Sequence, residues 1–233
     1  IVGNGGDVIL CADQNGVTQS IELLDHYEAR VIRNLEINFN VVGPSIQERL
    51  NHAFARLERY SSDRAALYRG WAERFMQEAQ FKSDIELIDI PDSEHIAIPK
   101  GCAIKQIANQ ATTMLPGQMR YTIDLDLWKL LNPDQQAGLI LHEIVYREAL
   151  EEGQTNSVAA RFLASLMASP TLEEMSLQQF VELLKQLGFS RIRIQGALVE
   201  LLTWREGKPE ENEIHFYNDH VLSKAFVVNS SQF

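Results

Sequence analysis

The sequence predicts an α+β fold with a mainly helical body, and three observations support that prediction. Several segments place apolar residues at the three- and four-residue spacing of a helix, often directly after a capping residue. Short apolar segments typical of strands lie between and after them. The 233 residues are enough to bury one large core. We expect a mainly helical domain with a short mixed sheet over residues 1–189 and a β-meander packed on its edge over residues 190–233.

Turn and capping residues divide the first half of the chain into its elements. Gly43-Pro44-Ser45 opens a helix because Pro suits a first helical turn. Ser61-Ser62-Asp63 ends that helix and starts another, so the two form a helical hairpin. The predicted order is a strand at 7–11, a turn at 13–16, a helix from a Ser20 cap to about 34, helices at 46–60 and after 63, and strands at 85–90, 96–99 and 102–107.

The second half is dominated by one strongly marked helix. Asn132-Pro133-Asp134-Gln135 provides a cap, a first-turn Pro and a Gln three residues after the cap, and Gly153 ends the helix. Thr171 and Ser176 each begin a pattern typical of a capping box. The predicted elements are a strand at 119–124, a short helix at 126–131, helices at 133–152 and 157–168, two helices ending by Gly188, and strands from 190 onward.

The charge balance bears on the kind of partner. The formal net charge is −11. A nucleic-acid partner requires a basic face that displaces counterions from phosphate, and an anionic membrane surface requires a basic patch. No apolar run approaches the roughly 18 residues that span a bilayer. We therefore expect no nucleic-acid partner and no membrane span.

Cys11 and Cys102 are the two cysteines of the chain. Neither lies in a Cys-x-x-Cys spacing, so they indicate neither a metal knuckle nor a redox motif. In an exported protein they could form one disulfide. In a reducing compartment they would be two buried thiols, because free Cys behaves as a small apolar residue.

The His142-Glu143 pair is the feature most informative about function. It lies within the apolar run from Leu139 to Val145, which predicts a helix buried on all sides. A His and a Glu in such a helix cost desolvation free energy unless they are paired. Their presence therefore indicates either a reaction centre or a buried polar network.

The first interpretation is a metal site of the zincin type. His-Glu begins the zinc-protease signature His-Glu-x-x-His, in which the Glu is the general base. Here His142 would be a zinc ligand and Glu143 the base, while Tyr146 occupies the position of the second His. Tyrosine is a poor ligand at neutral pH because its pKa is near 10. The residues considered as additional ligands are Glu173, Glu174, His95, His215 and His220.

The second interpretation is a structural network without catalysis. Glu143 and Arg147 are four residues apart and could form a helical ion pair. His142 would donate to a backbone carbonyl or to another helix, with the Tyr146 hydroxyl completing the network. A pocket without metal is a third alternative, in which His142 and Glu143 would have shifted pKa values.

Three further features of the sequence bear on ligand binding. Arg147 and Arg161 would together suit a carboxylate or phosphate if both pointed into a cleft beside His142. Asn156 is interpreted as a helix cap. The glycine-rich Gly3-Asn4-Gly5-Gly6 lacks the Lys-Ser/Thr of a P-loop and precedes a strand, so it does not indicate a phosphate cradle.

Several segments resemble an uncharacterised family of exported bacterial proteins found notably in predatory bacteria. The resemblance rests on the start Gly3-Asn4-Gly5-Gly6-Asp7, on Ile98-Pro99-Lys100-Gly101-Cys102, and on His142-Glu143-x-x-Tyr146-Arg147. Similar segments are Leu23 to Ala29, Thr155-Asn156-Ser157 with Arg161, and Ile214-His215-Phe216-Tyr217. It implies a cleaved signal peptide, a periplasmic or secreted location, and a Tyr that belongs to the motif. It implies no activity.

These observations lead to two expected functions. The first is an exported binding or interaction protein with a protein or cell-envelope partner, in which His142, Glu143, Tyr146 and Arg147 form a buried network. The alternative is a zincin-related, metal-dependent hydrolase of peptide or cell-envelope material that uses the same residues for catalysis.

Overall fold

The computed structural model describes residues 2–88, 96–112 and 118–189, together with the backbone of strands at 191–194, 197–201, 213–218 and 221–227. Side chains of residues 2–4 and of residues beyond 189 are not described. Eight helices and eleven strands lie within this part of the chain. The predicted α+β class with a mainly helical body is confirmed.

The strands between residues 2 and 124 form two small sheets. Strands β1 (Val2–Asn4), β6 (Ala108–Ala111), β7 (Tyr121–Asp124) and β4 (Ala79–Lys82) form a mixed sheet in the order β1-β6-β7-β4, in which β4 and β7 are parallel. Strands β3 (Thr18–Leu23), β2 (Asp7–Ala12) and β5 (Cys102–Gln106) form an antiparallel sheet in the order β3-β2-β5. The backbone N–H groups of Ile107 and Ala108 donate to the Gly6 carbonyl, so β5 and β6 join the two sheets near Gly6.

The helices follow the predicted order closely after residue 44. Ser45 accepts from the Glu48 N–H at the start of α2, and Asn132 accepts from the Gln135 N–H at the start of α5. Ser176 and Gln179 form the predicted capping box. The bounds are α1 (Leu24–Val31), α2 (Ile46–Glu58), α3 (Ser62–Glu78), α4 (Leu125–Leu130), α5 (Pro133–Glu151), α6 (Val158–Met167), α7 (Thr171–Glu174) and α8 (Leu177–Gln186).

The predicted helix from Ser20 was wrong in its first part. Residues 18–23 are strand β3, which pairs with β2 across a turn at 13–17, and α1 begins only at Leu24. Ile21 and Leu23 are two apart, which is the spacing of one face of a strand, whereas the three-residue spacing of a helix begins only with Leu24 and Tyr27. The turn decides between them, because the Asp13 carboxylate accepts the Asn15 and Val17 N–H groups and directs the chain back along β2.

Other local predictions also failed for identifiable reasons. Residues 85–88 and 96–99 are not strands; residues 89–95 lie outside the described part. The edge of the mixed sheet is instead taken by β4, which follows α3 directly. Thr171 is not the cap of a box, because Ser169 accepts the Thr171 N–H and Pro170 precedes the helix.

The last four strands are β8 (Arg191–Ile194), β9 (Ala197–Leu201), β10 (Glu213–Asn218) and β11 (Val221–Val227). They pair antiparallel in the order β11-β10-β9-β8. The predicted meander spans 190–233, and its connecting residues 195–196, 202–212 and 219–220 lie outside the described part. The boundary at residue 190 stays a prediction.

Cys11 and Cys102 form a disulfide between directly opposed positions of β2 and β5, 91 residues apart in sequence. The bridge lies beside a small cluster of apolar residues that includes Ile9, Leu24 and Tyr27. It fastens the N-terminal hairpin to a strand from the middle of the chain. Among the described helices, none combines the length and the apolar character needed to cross a membrane.

Removing the disulfide should destabilise the protein substantially. Because the bridge closes a loop of 91 residues, we expect the Cys11→Ala/Cys102→Ala variant to lose about 2–5 kcal/mol of unfolding free energy. Urea denaturation of the variant and of the oxidised protein measures this. Thiol titration of the denatured, unreduced protein should find no free thiol; two titratable thiols would contradict the bridge.

Candidate functional site

Helix α5 runs through the centre of the molecule and carries the His-Glu pair. Its residues from Ala137 to Tyr146 are buried on every side. The surrounding elements are α1, α2, α3 and α6, together with β3. Polar side chains on such a helix must find partners on these neighbours, because water does not reach them.

His142 is paired with Asp25 in the first turn of α1. The imidazole Nδ1 lies 2.9 Å and 3.1 Å from the two carboxylate oxygens of Asp25. Both side chains are completely enclosed, with exposed fractions of 0% and 1%. The predicted contact of His142 with another helix is therefore present, and its partner is a carboxylate.

Glu143 is bonded to two other parts of the chain. Its Oε1 accepts the backbone N–H of Gly6 at 2.7 Å, and its Oε2 accepts the side-chain amide of Gln110 at 3.1 Å. The same Gln110 amide donates to the Glu143 carbonyl at 2.9 Å. Glu143 thereby connects α5 to the start of β2 and to β6.

Gly5 and Gly6 permit this contact by letting the backbone approach α5. A Cβ atom on Gly5 would lie 2.1 Å from the Ala108 carbonyl oxygen and 2.9 Å from Glu143 Oε1. A Cβ atom on Gly6 would lie 2.1 Å from Leu139 Cδ1. The glycine-rich start is thus a close-packing element against Glu143.

Gly138 has the same role on the other side of α5. A Cβ atom there would lie 2.4 Å from His26 Nε2 and 2.8 Å from Leu23 Cδ2. Helix α1 therefore approaches α5 at a glycine, four residues before His142. This approach brings Asp25 within hydrogen-bonding distance of His142.

Tyr146 and Arg147 face different neighbours. Tyr146 is fully buried one turn after His142, with ring centroids 6.0 Å apart. Arg147 donates to Glu78 on α3 at 3.0 Å and stacks over the Trp71 ring at 4.4 Å. The predicted Glu143–Arg147 ion pair was wrong, because Glu143 points toward the sheets and Arg147 toward α3.

Arg161 belongs to a separate buried contact between α6 and α1. It donates to Glu28 at 2.9 Å and to the Ser157 hydroxyl at 2.6 Å. Arg147 and Arg161 therefore do not share a carboxylate-binding cleft. The N-cap of α6 is Ser157 and not Asn156 as predicted, although the Asn156 side chain accepts the Val158 N–H at 3.2 Å from one residue earlier.

The additional residues considered as zinc ligands do not join His142. Glu173 is bonded to Arg56 at 2.9 Å, and Glu174 is exposed on α7. His95, His220 and the side chain of His215 lie outside the described part. Among the described residues no group of three His, Cys, Asp or Glu side chains is arranged to hold a metal ion. With both Glu143 oxygens bonded to the protein, these residues do not fit a zinc site.

The electrostatics of the pair follow from burial and from Asp25. Burial lowers the pKa of His142, but the charge and hydrogen bond of Asp25 outweigh it and raise that pKa to about 9. Burial raises the pKa of Glu143 above its usual range, against the lowering effects of His142, Gly6 and Gln110. Burial also lowers the pKa of His26 to about 4. At neutral pH, His142 and Asp25 therefore form a buried ion pair beside a neutral His26.

Sequence reasoning missed Asp25, Gln110 and the role of Gly5-Gly6. Asp25 lies 117 residues from His142, and Gln110 lies 33 residues from Glu143. Gly138 gave a usable signal, since a glycine inside an otherwise strong helix indicates a close approach of another element.

A separate cavity of about 290 Å³ lies at the edge of β5. His142, Glu143, Tyr146 and Arg147 do not line it. Its lining residues are Glu86, Leu87, Ile88, Ile104, Lys105 and Gln106.

Comparisons with protein-family models, with curated proteins and with solved structures gave no match to the chain. The interpretation of the His-Glu helix therefore rests on its geometry.

The His142–Asp25 pair should make the free energy of unfolding fall as the pH rises into the alkaline range. The folded-state pKa of about 9 exceeds the ordinary 6.5, so this contribution is complete below pH 6.5 and is lost as pH rises through 9. We expect the unfolding free energy to fall by about 1–3 kcal/mol between pH 6.5 and 9.5. Denaturation at several pH values measures it, and Asp25→Asn should flatten the profile. An NMR titration of the His142 ring with a midpoint at or below 6.5 would contradict the pair.

Replacing Gly5 should disturb the Glu143 contact directly. Gly5→Ala places a methyl group against the Ala108 carbonyl, so we expect a loss of about 2 kcal/mol or more of unfolding free energy. Gly70→Ala is the matched control, because its nearest neighbour is the Arg74 side chain at 3.7 Å. That control should gain about 0.5–1 kcal/mol from helix propensity. Equal stability of Gly5→Ala and the unaltered protein would rule out the close approach.

Proposed function

We propose that the protein is an exported binding protein, periplasmic or secreted, whose partner is a protein or a component of the cell envelope. In this proposal the His142-Glu143 helix organises the core and carries no reaction. The observation that supports it best is the complete burial of His142 and Glu143, each bonded to groups from distant parts of the chain.

Burial of this kind argues for a structural role. A hydrolytic base must reach a water molecule and a substrate in a cleft. Glu143 instead directs its two oxygens to Gly6 and Gln110 inside the core. Asp25, which orients His142, also lies within the core.

The disulfide supports the proposed location. Bridges such as Cys11–Cys102 persist in oxidising compartments and are rare where thiols are kept reduced. The bridge fastens the N-terminal hairpin, which includes Asp7 and approaches the Gly5-Gly6 contact with Glu143. In this proposal, an oxidising compartment preserves the bridge, and the bridge in turn holds the hairpin next to the Gly6–Glu143 contact.

A zinc-dependent hydrolase is the second candidate, and one observation favours it. His142 donates from Nδ1 to a carboxylate, which is the arrangement that orients many metal-binding imidazoles through Nε2. His142 Nε2 has no hydrogen-bond partner within the described part of the chain. No further donors are present there to complete a site.

Metal analysis and stability measurements distinguish the two candidates. We expect protein purified without chelator to contain no stoichiometric zinc. His142→Ala should lose about 3–5 kcal/mol of unfolding free energy, because Asp25 then remains buried without its partner. His52→Ala, on the exposed face of α2, is the control and should change stability little.

Stoichiometric zinc that disappears in His142→Ala would replace the binding-protein proposal with the hydrolase. The unaltered protein alone decides the question of zinc if His142→Ala does not fold. A fully stable His142→Ala variant without metal would contradict the structural role.

A further inference from the structure

We propose that the outer edge of strand β5 binds an extended, basic peptide segment of a partner protein, which adds to the sheet as a further strand. We call the cavity along this edge the β5 groove; its lining residues are Glu86, Leu87, Ile88, Ile104, Lys105 and Gln106. The inference rests on the proposed binding function, for which it names a kind of partner and a place on the fold.

Strand β5 lies at the end of its sheet. In the order β3-β2-β5 it pairs with β2 on one side, and within the described part of the chain no strand pairs with its other side. A strand in this position directs alternate backbone N–H and C=O groups away from the sheet, where they can pair with another extended chain. The register of β5 and the segments at its two ends determine how much of this edge is accessible.

The pairing of β2 with β5 shows which backbone groups point outward. The Ala12 N–H donates to the Gly101 carbonyl at 3.3 Å. These two residues adjoin the directly opposed Cys11 and Cys102. In an antiparallel ladder, such a bond marks the cysteines as a pair without hydrogen bonds between them, and such pairs alternate with bonded pairs. Ile104, two residues after Cys102, therefore directs its N–H and C=O away from β2.

Other parts of the chain close both ends of this edge. At the start of β5, the Cys102 N–H donates to the Pro99 carbonyl at 3.2 Å. After β5 ends, the Asp124 N–H donates to the Ile107 carbonyl at 2.9 Å. The accessible stretch therefore centres on Ile104, whose outward N–H and C=O have no hydrogen-bond partner among the described residues. The β5 groove lies at this stretch.

The edge is already held in the geometry that a bound strand requires. The disulfide fastens Cys102 to Cys11 on β2, two residues before Ile104. The Ile104 side chain packs against the small apolar cluster beside the disulfide. A preformed edge avoids the loss of conformational entropy that a flexible site would undergo on binding.

The opposite wall of the β5 groove provides an apolar contact and a carboxylate. Ile88 is 81% exposed, and an added strand uses such contacts for its alternate side chains. Glu86 and Lys105 lie on opposite walls and form an ion pair at 3.0 Å, with side chains 82% and 46% exposed. Because exposed pairs contribute little to stability, an entering chain can separate this one at little cost. Glu86 then pairs with a basic residue of the peptide.

The charge of the protein favours a basic partner. The net charge of −11 attracts positively charged peptides and repels negatively charged ones. The outward backbone groups of Ile104 require an extended chain, and the exposed Ile88 suits an apolar side chain. The partner segment is therefore a strand-forming peptide in which apolar residues are flanked by Lys or Arg.

Titration of the full chain with three synthetic peptides at constant ionic strength tests the site. The basic probe is N-acetyl-Lys-Val-Thr-Val-Lys-amide, and the acidic probe has Glu at both ends instead. The third probe keeps the Lys ends but has Pro at the three central positions, which removes their backbone N–H donors. The readouts are the NMR shift and the hydrogen-exchange rate of the Ile104 N–H.

The three probes should differ in a fixed order. We expect the basic probe to give a saturable shift and slower exchange at Ile104, because its backbone pairs with the edge. The acidic probe should bind severalfold more weakly, since the field of the protein repels it. The Pro probe should bind about tenfold more weakly, because it lacks the donors for strand pairing.

Two matched substitutions place the binding at the β5 groove. Ile88→Ser should weaken binding of the basic probe severalfold by removing the apolar contact, and it should leave the fold intact because Ile88 is exposed. Val42→Ser is the matched control, since Val42 is fully exposed and does not line the groove. It should leave binding unchanged.

The proposal would be overturned by the absence of a saturable change at Ile104, by equal binding of the basic and Pro probes, or by equal weakening in Ile88→Ser and Val42→Ser. Slow exchange of the Ile104 N–H without peptide would also overturn it. If that slow exchange depends on protein concentration, a second copy occupies the edge; otherwise the chain itself covers it. None of these results depends on zinc, so failure of the β5 groove is distinct from failure of the binding-protein proposal, which the metal analysis decides.

Discussion

The structure depends on how a helix buried on all sides satisfies two adjacent ionisable residues. His142 and Glu143 point away from α5 in different directions, so one partner cannot serve both. Asp25 pairs with His142, and Gly6 and Gln110 donate hydrogen bonds to Glu143. This requirement places α1 on one side of α5 and the joined edges of the two sheets on the other. Gly138 and Gly5-Gly6 are the points at which the chain comes close enough to make those contacts.

The same helix continues this pattern toward its end. Glu148 forms a buried ion pair with Arg64 of α3 at 2.9 Å and also accepts a short hydrogen bond from Tyr68. Such pairs add little net stability compared with apolar packing, but losing one partner leaves a costly buried charge. Their main effect is therefore to fix the orientation of α5 in the core, because rotating the helix by one residue would leave several buried charges unpaired. The apolar residues supply most of the free energy, and the polar ones select one packing.

The sequence predicted what depends on neighbouring residues and missed what depends on distant ones. The caps of α5 and α8 were correct because Asn132 and Ser176 act on backbone groups three residues away. Strand β3 was missed because its identity depends on pairing with β2. The burial of the His-Glu helix followed from its apolar run, but its partners did not. The Glu143–Arg147 pair was expected from spacing, yet each residue has a nearer partner on another element.

The position of Arg147 connects the core of the protein to its surface. One helical turn separates the enclosed Glu143 from Arg147, whose guanidinium reaches Glu78 at the edge of the molecule. Because the network on α5 fixes the rotation of the helix, it also fixes where Arg147 emerges and how it stacks on Trp71. A motif that begins like a protease signature therefore has partners inside the core at His142 and Glu143 and a partner closer to the surface at Arg147. Weakening the Glu143 contacts should accordingly loosen the bond between Arg147 and Glu78 and the stacking of Arg147 on Trp71.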